Sequence, residues 1–451
     1  MRGFRFERLK DVVKRVKVGF VGPVNDFYCS SDVIGSVPII RTTDIDDFNL
    51  KQLKYVTLQF HKKNKKSQLF KGDLIIARHG SNGNAMVYEL EEEAQVLNAV
   101  IIRPDVDIIS SKLLKLHFDS PFIKDQIKGS VKGSVQGVIN TQHVADLMVP
   151  IFDSINYSNA TKIISDLDAK IEVNNKINQK LEAMAITLYD YWFVQFDFPD
   201  PNGEPYKSSG GTMVFNEELK REIPEGWEVD SLSAWIKNDK SGDWGKETEE
   251  GNYVIKVSCI RGADLNGLNG KGEVKSPTRY VLEKNSHKLM EVGDFIIEIS
   301  GGSPTQSTGR MAFITKETIE RFENPLICSN FCKAVTLKKE KALYNFAYEW
   351  NRLYDAGVLF GWEGKTSGIK NLLFESFVTN HQVVIPDDIV MAHFYDYAKP
   401  IQAQKQTYLK ENQKLAELRD WLLPMLMNGQ VTVGEAEEQL GMVAEEREKY
   451  N

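Results

Sequence analysis

Nowhere in the 451 residues does an apolar run approach the roughly 18 residues of a membrane-spanning helix. Cysteine is scarce, with only Cys29, Cys259, Cys328 and Cys332. Cys328 and Cys332 flank Ser-Asn-Phe with no histidine or second cysteine pair at metal spacing. The four thiols therefore read as buried and free, not as a zinc site or a disulfide framework. The N-terminus, MRGFRFERLKDVVKRVKVGF, has no continuous apolar core and no clean cleavage pattern, so it does not read as a secretory signal. Catalytic signatures are missing as well. No paired-carboxylate, Ser-His-Asp or Cys-His arrangement stands out. Gly80-x-x-Gly83 and the 301–309 stretch are neither Rossmann nor Walker loops, and Gly364-Lys365-Thr366 lacks the upstream glycine of a phosphate loop. Asp200, Glu204 and Lys207 have the composition of a nuclease triad, but they sit in a Pro/Gly-rich stretch with no strand to hold them on a metal. The chain reads as non-catalytic.

Charge of one sign is not in excess everywhere. The net charge is -7, which argues against a uniformly basic nucleic-acid binder. Residues 1–150 nonetheless carry 22 Lys and Arg against 17 Asp and Glu, while residues 431–451 carry two basic and six acidic residues. An acidic total is compatible with a local basic groove. With 42% hydrophobic and 26% charged residues, the composition is that of a globular protein of two to four domains.

What the sequence does contain is a long heptad-like stretch, residues 160–194. Ile164, Leu167, Ile171, Asn174, Asn178, Leu181, Ala185, Leu188 and Trp192 recur at three- and four-residue steps, uninterrupted by Pro or Gly. Ser158 or Asn159 is the expected cap. As one helix this spans about 50 Å at 1.5 Å per residue and needs a partner to cover its seam. Residues 398–427 supply a candidate, with Ile401, Tyr408, Leu415, Leu418, Leu422 and Leu426 as the apolar stripe. Asn412-Gln413-Lys414-Leu415 repeats Asn178-Gln179-Lys180-Leu181, which puts Asn178 and Asn412 on the two seams. Pro400 is expected to start or kink the second helix and Pro424 to bend or end it. Lys405 and Arg419 interrupt its apolar seam.

Other elements repeat in the same order. Gly72-Asp73-Leu74-Ile75-Ile76 returns as Gly293-Asp294-Phe295-Ile296-Ile297, and Gly3-Phe4 with Leu9 returns as Gly226-Trp227 with Leu232. A Ser/Gly segment followed by Asn, Ser134 to Asn140 in one half and Ser367 to Asn371 in the other, precedes each apolar strand that ends at Pro150 or Pro386. The chain is a duplicated unit: domain, helix, domain, helix. Phe6, Leu9, Val12 and Val13 suggest a short N-terminal helix. Residues 36–41, 74–77, 96–102 (interrupted by Asn98) and 253–258 read as short strands, mostly antiparallel. The expected fold is α+β, with domains at 1–155 and 226–387, a central helix at 156–196, a linker or hinge at 197–225, a C-terminal helix at 388–430 and an acidic tail at 431–451.

Two polar loops follow the Gly-Asp strands. Arg78, His79, Ser81, Asn82 and Asn84 lie in the first, and Ser303, Gln306, Ser307, Thr308 and Arg310 in the second. Arg and Asn suit bidentate contacts to base edges, and the glycines let backbone approach closely. Lys62, Lys63, Lys65 and Lys66 form a lysine cluster. Lys128 and Lys132 in one half, and Lys365, Thr366, Ser367 and Lys370 in the other, lie in Gly/Ser segments suited to phosphate oxygens. The aromatic run 191–198 (YWFVQFDF) reads as core packing or as a contact surface.

In this order and duplication the sequence resembles the specificity subunit of a type I restriction-modification system. The resemblance rests on the repeated Gly-Asp strands, on the repeated Asn-Gln-Lys-Leu, and on the strand-proline exits Val149-Pro150 and Ile385-Pro386 before each helix. It covers the chain to about residue 430. It implies two target-recognition domains, each reading half of a bipartite double-stranded DNA target. It implies two helices paired as an antiparallel coiled coil that spaces the half-sites, with Ile164, Leu167, Ile171, Asn178, Leu181 and Leu188 facing Ile401, Tyr408, Asn412, Leu415 and Leu422. It further implies two adenine-methyltransferase subunits that carry S-adenosylmethionine, restriction subunits that use ATP and Mg2+, no cofactor on this chain, and a cytoplasmic, nucleoid-associated setting in a prokaryote. The alternative is a protein-binding adaptor with duplicated domains and no DNA specificity.

Overall fold

The computed structural model describes residues 4–45, 53–78, 83–131, 138–152, 154–272, 274–301, 306–366 and 369–427. It is an α+β protein with two long helices, Ser154–Tyr189 and Asp388–Met427. Residues 1–170 with 415–451 form one compact unit and residues 171–414 the other, so the boundary falls inside each long helix.

The first unit holds a four-stranded antiparallel sheet. Its strands run in the order Val13–Val18, Ala99–Pro104, Leu74–Ala77 and Ala85–Val87. A second, five-stranded sheet contains Val37–Arg41, which pairs antiparallel with Lys54–Val56 and parallel with Ala94–Leu97. The expected strand at 96–102 is therefore two strands in two sheets. Asn98, at φ 55°, takes the left-handed turn that redirects the chain between them. The expected N-terminal helix is not formed. Phe4–Arg8 is a strand paired with Met148–Phe152, and only Leu9–Asp11 makes a 3-10 turn before the next strand. Alternation there has period two, which suits a strand edge, and the Leu9 amide donates to the Leu147 carbonyl.

The second unit repeats this plan. Ile236–Ser241, Cys332–Leu337, Phe295–Glu298 and Met311–Phe313 form the four-stranded sheet in the same sequence-to-space order. Tyr253–Ile260 pairs antiparallel with Thr278–Leu282 and parallel with Leu326–Cys328. Glu228–Ser231 pairs with Gln382–Ile385, as the N-terminal strand pairs in the first unit. Leu232 donates its amide to His381, the counterpart of the Leu9–Leu147 bond.

The central helix begins at Ser154, so Ser158 and Asn159 lie within it and do not cap it. It ends in a π turn, Asp190–Val194. Most of the aromatic run is core: Trp192, Phe193, Phe196 and Phe198 are buried, Phe198 stacks on Trp227 at 4.9 Å and Phe193 meets Phe394 edge-on at 5.1 Å, whereas Tyr191 is exposed. The 197–225 stretch carries a hairpin, Met213–Asn216 with Arg221–Pro224. Ahead of the hairpin, a separate turn at 200–204 is closed by Asp200, whose carboxylate accepts the Asn202 and Glu204 amides at 2.8 and 2.9 Å. Asp200 is thus a turn former.

The C-terminal helix runs through Pro400 and Pro424 to Met427, so neither starts nor stops it. Its start is Asp387, whose carboxylate accepts the Ile389 amide at 2.7 Å. Three cysteines are buried, whereas Cys29 is partly exposed, contrary to expectation; all four are free.

Candidate nucleic-acid interface

The two polar loops leave their strands by one shared device. Gly72 and Gly293, at φ 88° and 94°, make the left-handed turn that starts each Gly-Asp strand. Asp73 accepts the Phe70 amide at 3.0 Å and holds Arg103 bidentately at 2.8 and 2.7 Å. Asp294 accepts the Glu291 amide at 2.9 Å and the Thr336 hydroxyl at 2.6 Å. Each aspartate is buried, and each ties the strand start to the neighbouring strand.

At the far end the strands close their loops alike. The Ala77 amide donates to Asn84 and the Gly83 amide to Ala77; the Glu298 amide donates to Arg310 and the Gly309 amide to Glu298. Gly83 and Gly309 sit at φ 89° and 102°, and a Cβ on Gly309 would stand 2.1 Å from Leu359 Cδ2. The second loop is longer between these fixed points, so the same frame carries two different tips.

Arg78 donates Nε to the Ile139 carbonyl at 3.0 Å and Nη1 to Asn98 Oδ1 at 3.3 Å. This joins the loop base to the segment before Asn140, whose side chain caps the next helix by accepting the His143 amide at 2.8 Å. In the second unit Ile299 holds the same place, accepting the Leu372 amide at 2.9 Å. His79, Ser81, Asn82, Lys132, Ser303 and Ser367 lie outside the described residues.

Ser307 and Thr308 are buried and face Glu363, whose Oε1 accepts the Thr308 amide at 2.8 Å, the Thr308 hydroxyl at 3.1 Å and the Ser307 hydroxyl at 3.3 Å. Lys370 pairs with Glu363 at 3.1 Å and donates to the Gln306 carbonyl at 3.1 Å. Burial works to raise the Glu363 carboxyl, but the hydrogen bonds from Thr308 and Lys370 win and hold it below the ordinary carboxylate range. Arg310 is engaged bidentately by Glu298 at 2.9 and 2.6 Å. Ser307, Thr308, Lys370 and Arg310, with the carboxylates of Glu363 and Glu298, hold the loop; Gln306 is exposed beside them. Lys365 and Thr366 lie in the strand Glu363–Thr366, which pairs with Ile369–Leu372.

The lysine cluster surrounds a buried histidine. Thr57 caps the six-residue helix Leu58–Lys63, and Phe60 and His61 turn inward. His61 Nε2 meets Glu93 at 2.9 Å and Nδ1 meets Gln95 at 2.9 Å. Lys62, Lys63, Lys65 and Lys66 are left facing solvent. Lys128 is also exposed, 3.4 Å from Asp125.

The long helices pair antiparallel within each unit. In the first, Ile164, Leu167 and Leu422 are buried in one cluster with Leu415 and Leu418 against it, and Asp168 accepts from Arg419 at 3.0 Å. In the second, Asn174 donates to Asn412 at 2.9 Å, Asn178 donates to the Lys405 carbonyl at 3.3 Å, and Glu182 pairs with Lys405. Ile171, Leu181, Leu188, Ile401 and Tyr408 are partly buried, whereas Gln402, Lys405, Gln406 and Leu409 are buried more deeply. The seam of the second unit is thus largely polar.

Sequence reading missed Glu298 and Glu363, whose partners are distant in the chain. It also missed a second repeat. Arg41 holds Asp44 through Nε at 2.9 Å and Nη2 at 2.6 Å, and Arg261 holds Asp264 at 2.9 and 3.0 Å. The signal was present as Ile-Arg-x-x-Asp after a buried strand in both halves. Among the described residues no group of three or more His, Cys, Asp or Glu is placed to hold a metal ion. No described helix is long and apolar enough to cross a membrane.

No protein-family model matches the chain. It is 25% identical over 285 residues to the type I restriction enzyme MjaIX specificity subunit of Methanocaldococcus jannaschii, covering 60% of this chain and 58% of that one. It is 30% identical over 137 residues to the type I restriction enzyme HindI specificity subunit of Haemophilus influenzae, covering 29% and 30%. The matches thus span 58% or less of either curated relative's length. A crystal structure of a type I restriction-modification S subunit from M. genitalium aligns over 94% of this chain and 96% of that one, at 13% identity and a TM-score of 0.47.

Proposed function

The chain is a homologue of the type I restriction-modification specificity subunits, and on that premise we propose that it is a non-catalytic subunit that reads a bipartite DNA target. Its two units each read one half-site, and its paired helices fix the gap and dock two adenine-methyltransferase subunits. Those partners carry S-adenosylmethionine. Restriction subunits using ATP and Mg2+ join through them. The observation that carries this reading is the duplication itself: two units of one strand order, each ending a Gly-Asp strand in a loop closed by the same pair of backbone hydrogen bonds. A repeated frame with different tips is what reading two unlike half-sites asks of a fold.

Within this proposal Arg78, His79, Ser81, Asn82 and Asn84 in one loop, and Ser303 and Gln306 in the other, meet base edges. Ser307, Thr308 and Arg310 hold the second loop in shape, since Glu363 and Glu298 occupy them. The exposed lysines 62, 63, 65 and 66, with Lys128 and Lys132, meet phosphates and supply the salt-dependent part of affinity. In the second half, Lys365, Thr366 and Ser367 belong to the same class, while Lys370 is held by Glu363 and joins the residues that shape the loop.

The test is co-expression with the neighbouring methyltransferase, followed by mapping of methylated adenines across a genome. Methylation confined to a split motif with a fixed gap supports the reading. Adding one helical turn near Asn178 should widen the gap and leave both half-sites unchanged. A complex that forms but methylates without a split motif removes the DNA-specificity reading and favours a protein-binding adaptor.

A further inference from the structure

The outer edge of the mixed sheet differs in charge between the two units. In the first unit this edge is Tyr28–Cys29, paired with Lys54–Val56. Lys54 Nζ lies 4.6 Å over the Tyr28 ring, and among the described residues no carboxylate lies within ion-pair distance of it. In the second unit the corresponding edge is made by Lys246, bridged to Tyr280 on the strand Thr278–Leu282. Two cations sit over aromatic rings there as well: Arg279 over Trp244 at 4.1 Å and Lys246 over Tyr253 at 4.9 Å. Both are neutralised, Arg279 by Glu247 at 3.0 Å and Lys246 by Glu250 at 2.9 Å.

The first edge also has a cavity, about 400 Å³, lined by Tyr28, Ser30, Ser31, Lys54 and Tyr55 with Cys29 and Leu53. Lys54 and both serines are exposed. The Ser30 hydroxyl is taken by Asp32, which leaves the Lys54 ammonium and the Ser31 hydroxyl as donors. The face of Tyr28 orients the ammonium without cancelling its charge, because the ring offers a quadrupole and not a counter-ion. A fixed cation beside a hydroxyl, in a concave site too polar for an apolar ligand, suits one phosphate oxygen pair.

We propose that the Tyr28–Lys54 edge is a DNA backbone-phosphate contact present in the first unit and silenced in the second by Glu247 and Glu250. This rests on the DNA-reading function proposed above. It adds a specific positioning contact outside the polar loops and makes the two halves unequal in how they hold the duplex.

The test compares Lys54→Gln, Lys246→Gln and the unchanged chain, each in complex with the methyltransferase, on a duplex containing the mapped target and on one lacking it. Affinity is measured across a salt series. Each phosphate contact contributes about 0.9 to the slope of log affinity against log salt. Lys54→Gln should flatten the slope by about 0.9 on both duplexes and leave the preference between them unchanged. Lys246→Gln should leave the slope as it was. Ser31→Ala should weaken binding on both duplexes without changing the slope, since it removes a hydroxyl and no charge. A Lys54→Gln slope equal to that of the unchanged chain overturns the proposal, as does equal flattening by Lys246→Gln. If the unchanged complex binds both duplexes alike, the DNA-specificity reading fails, while the slope comparison still decides whether Lys54 touches phosphate.

Discussion

Asn174 donates to Asn412 Oδ1 at 2.9 Å across the antiparallel helix pair of the second unit, and Asn412 in turn donates to Asn175 at 2.8 Å. Asn174 is fully buried, and its amide nitrogen donates to Glu411 as well, at 3.0 Å. Truncating Asn412 to Ala removes one of these two acceptors and should cost about 0.5–1.5 kcal/mol, the net worth of a buried hydrogen bond. Replacing both with Leu should cost less than either single change and weaken the preference for one helix register. Denaturant melts of the two singles and the double, read as a mutant cycle, check this.

Glu363 gathers Ser307, Thr308 and Lys370 around one carboxylate. Glu363→Ala should leave the second unit folded but release the loop, abolishing recognition of one half-site while the other persists. Methylation mapping would then report a motif shortened on one side. The carboxyl is held below its ordinary range in the fold, so its contribution is present above about pH 4.5 and is lost as pH falls through the folded value. Protection of the Thr308 amide against hydrogen exchange, taken relative to its intrinsic rate at each pH, should therefore fall in acid.

His117 is enclosed in the first unit, and burial pushes its imidazole down to about 3 from 6.5, against a smaller opposing effect of the Pro150 carbonyl. The fold holds it neutral while the unfolded chain takes up a proton below about pH 6.5. Stability must then fall as pH drops from there toward 3, by at most about 1.4 kcal/mol per pH unit. His117→Gln should be less stable at pH 7 yet show a flatter decline between pH 6 and 4, measured by denaturant unfolding.

Gly309 closes the second loop at φ 102° with Leu359 where a side chain would stand. Gly309→Ala should cost more than about 1 kcal/mol, since strain and overlap add. A thermal melt against the parent measures it.

Much of this was legible in the chain. The central helix keeps its seam where the three- and four-residue steps put it: Ile164, Leu167, Asn174, Asn178 and Ala185 are all buried. The repeated Gly-Asp pairs mark the same turn in both units because only a residue tolerant of positive φ can open it. What escaped was set by partners far away in sequence. The carboxylates of Glu298 and Glu363 gain meaning only when Arg310 and Thr308 fold back onto them. Lys405 looked like a break in an apolar stripe, yet it is buried because Glu182 on the other helix meets it. Pro400 looked like a start or a kink, yet the helix begins at Asp388 and runs on through it. The lost amide bond was overridden by packing on either side, where Ala398 and Gln402 are buried.

The most direct test of the central claim is the map of methylated adenines made with this chain and its methyltransferase. The account predicts one split motif with a fixed gap, which loses one half when Glu363 is removed. Methylation at an unsplit site, or at sites unchanged when this chain is altered, would contradict it.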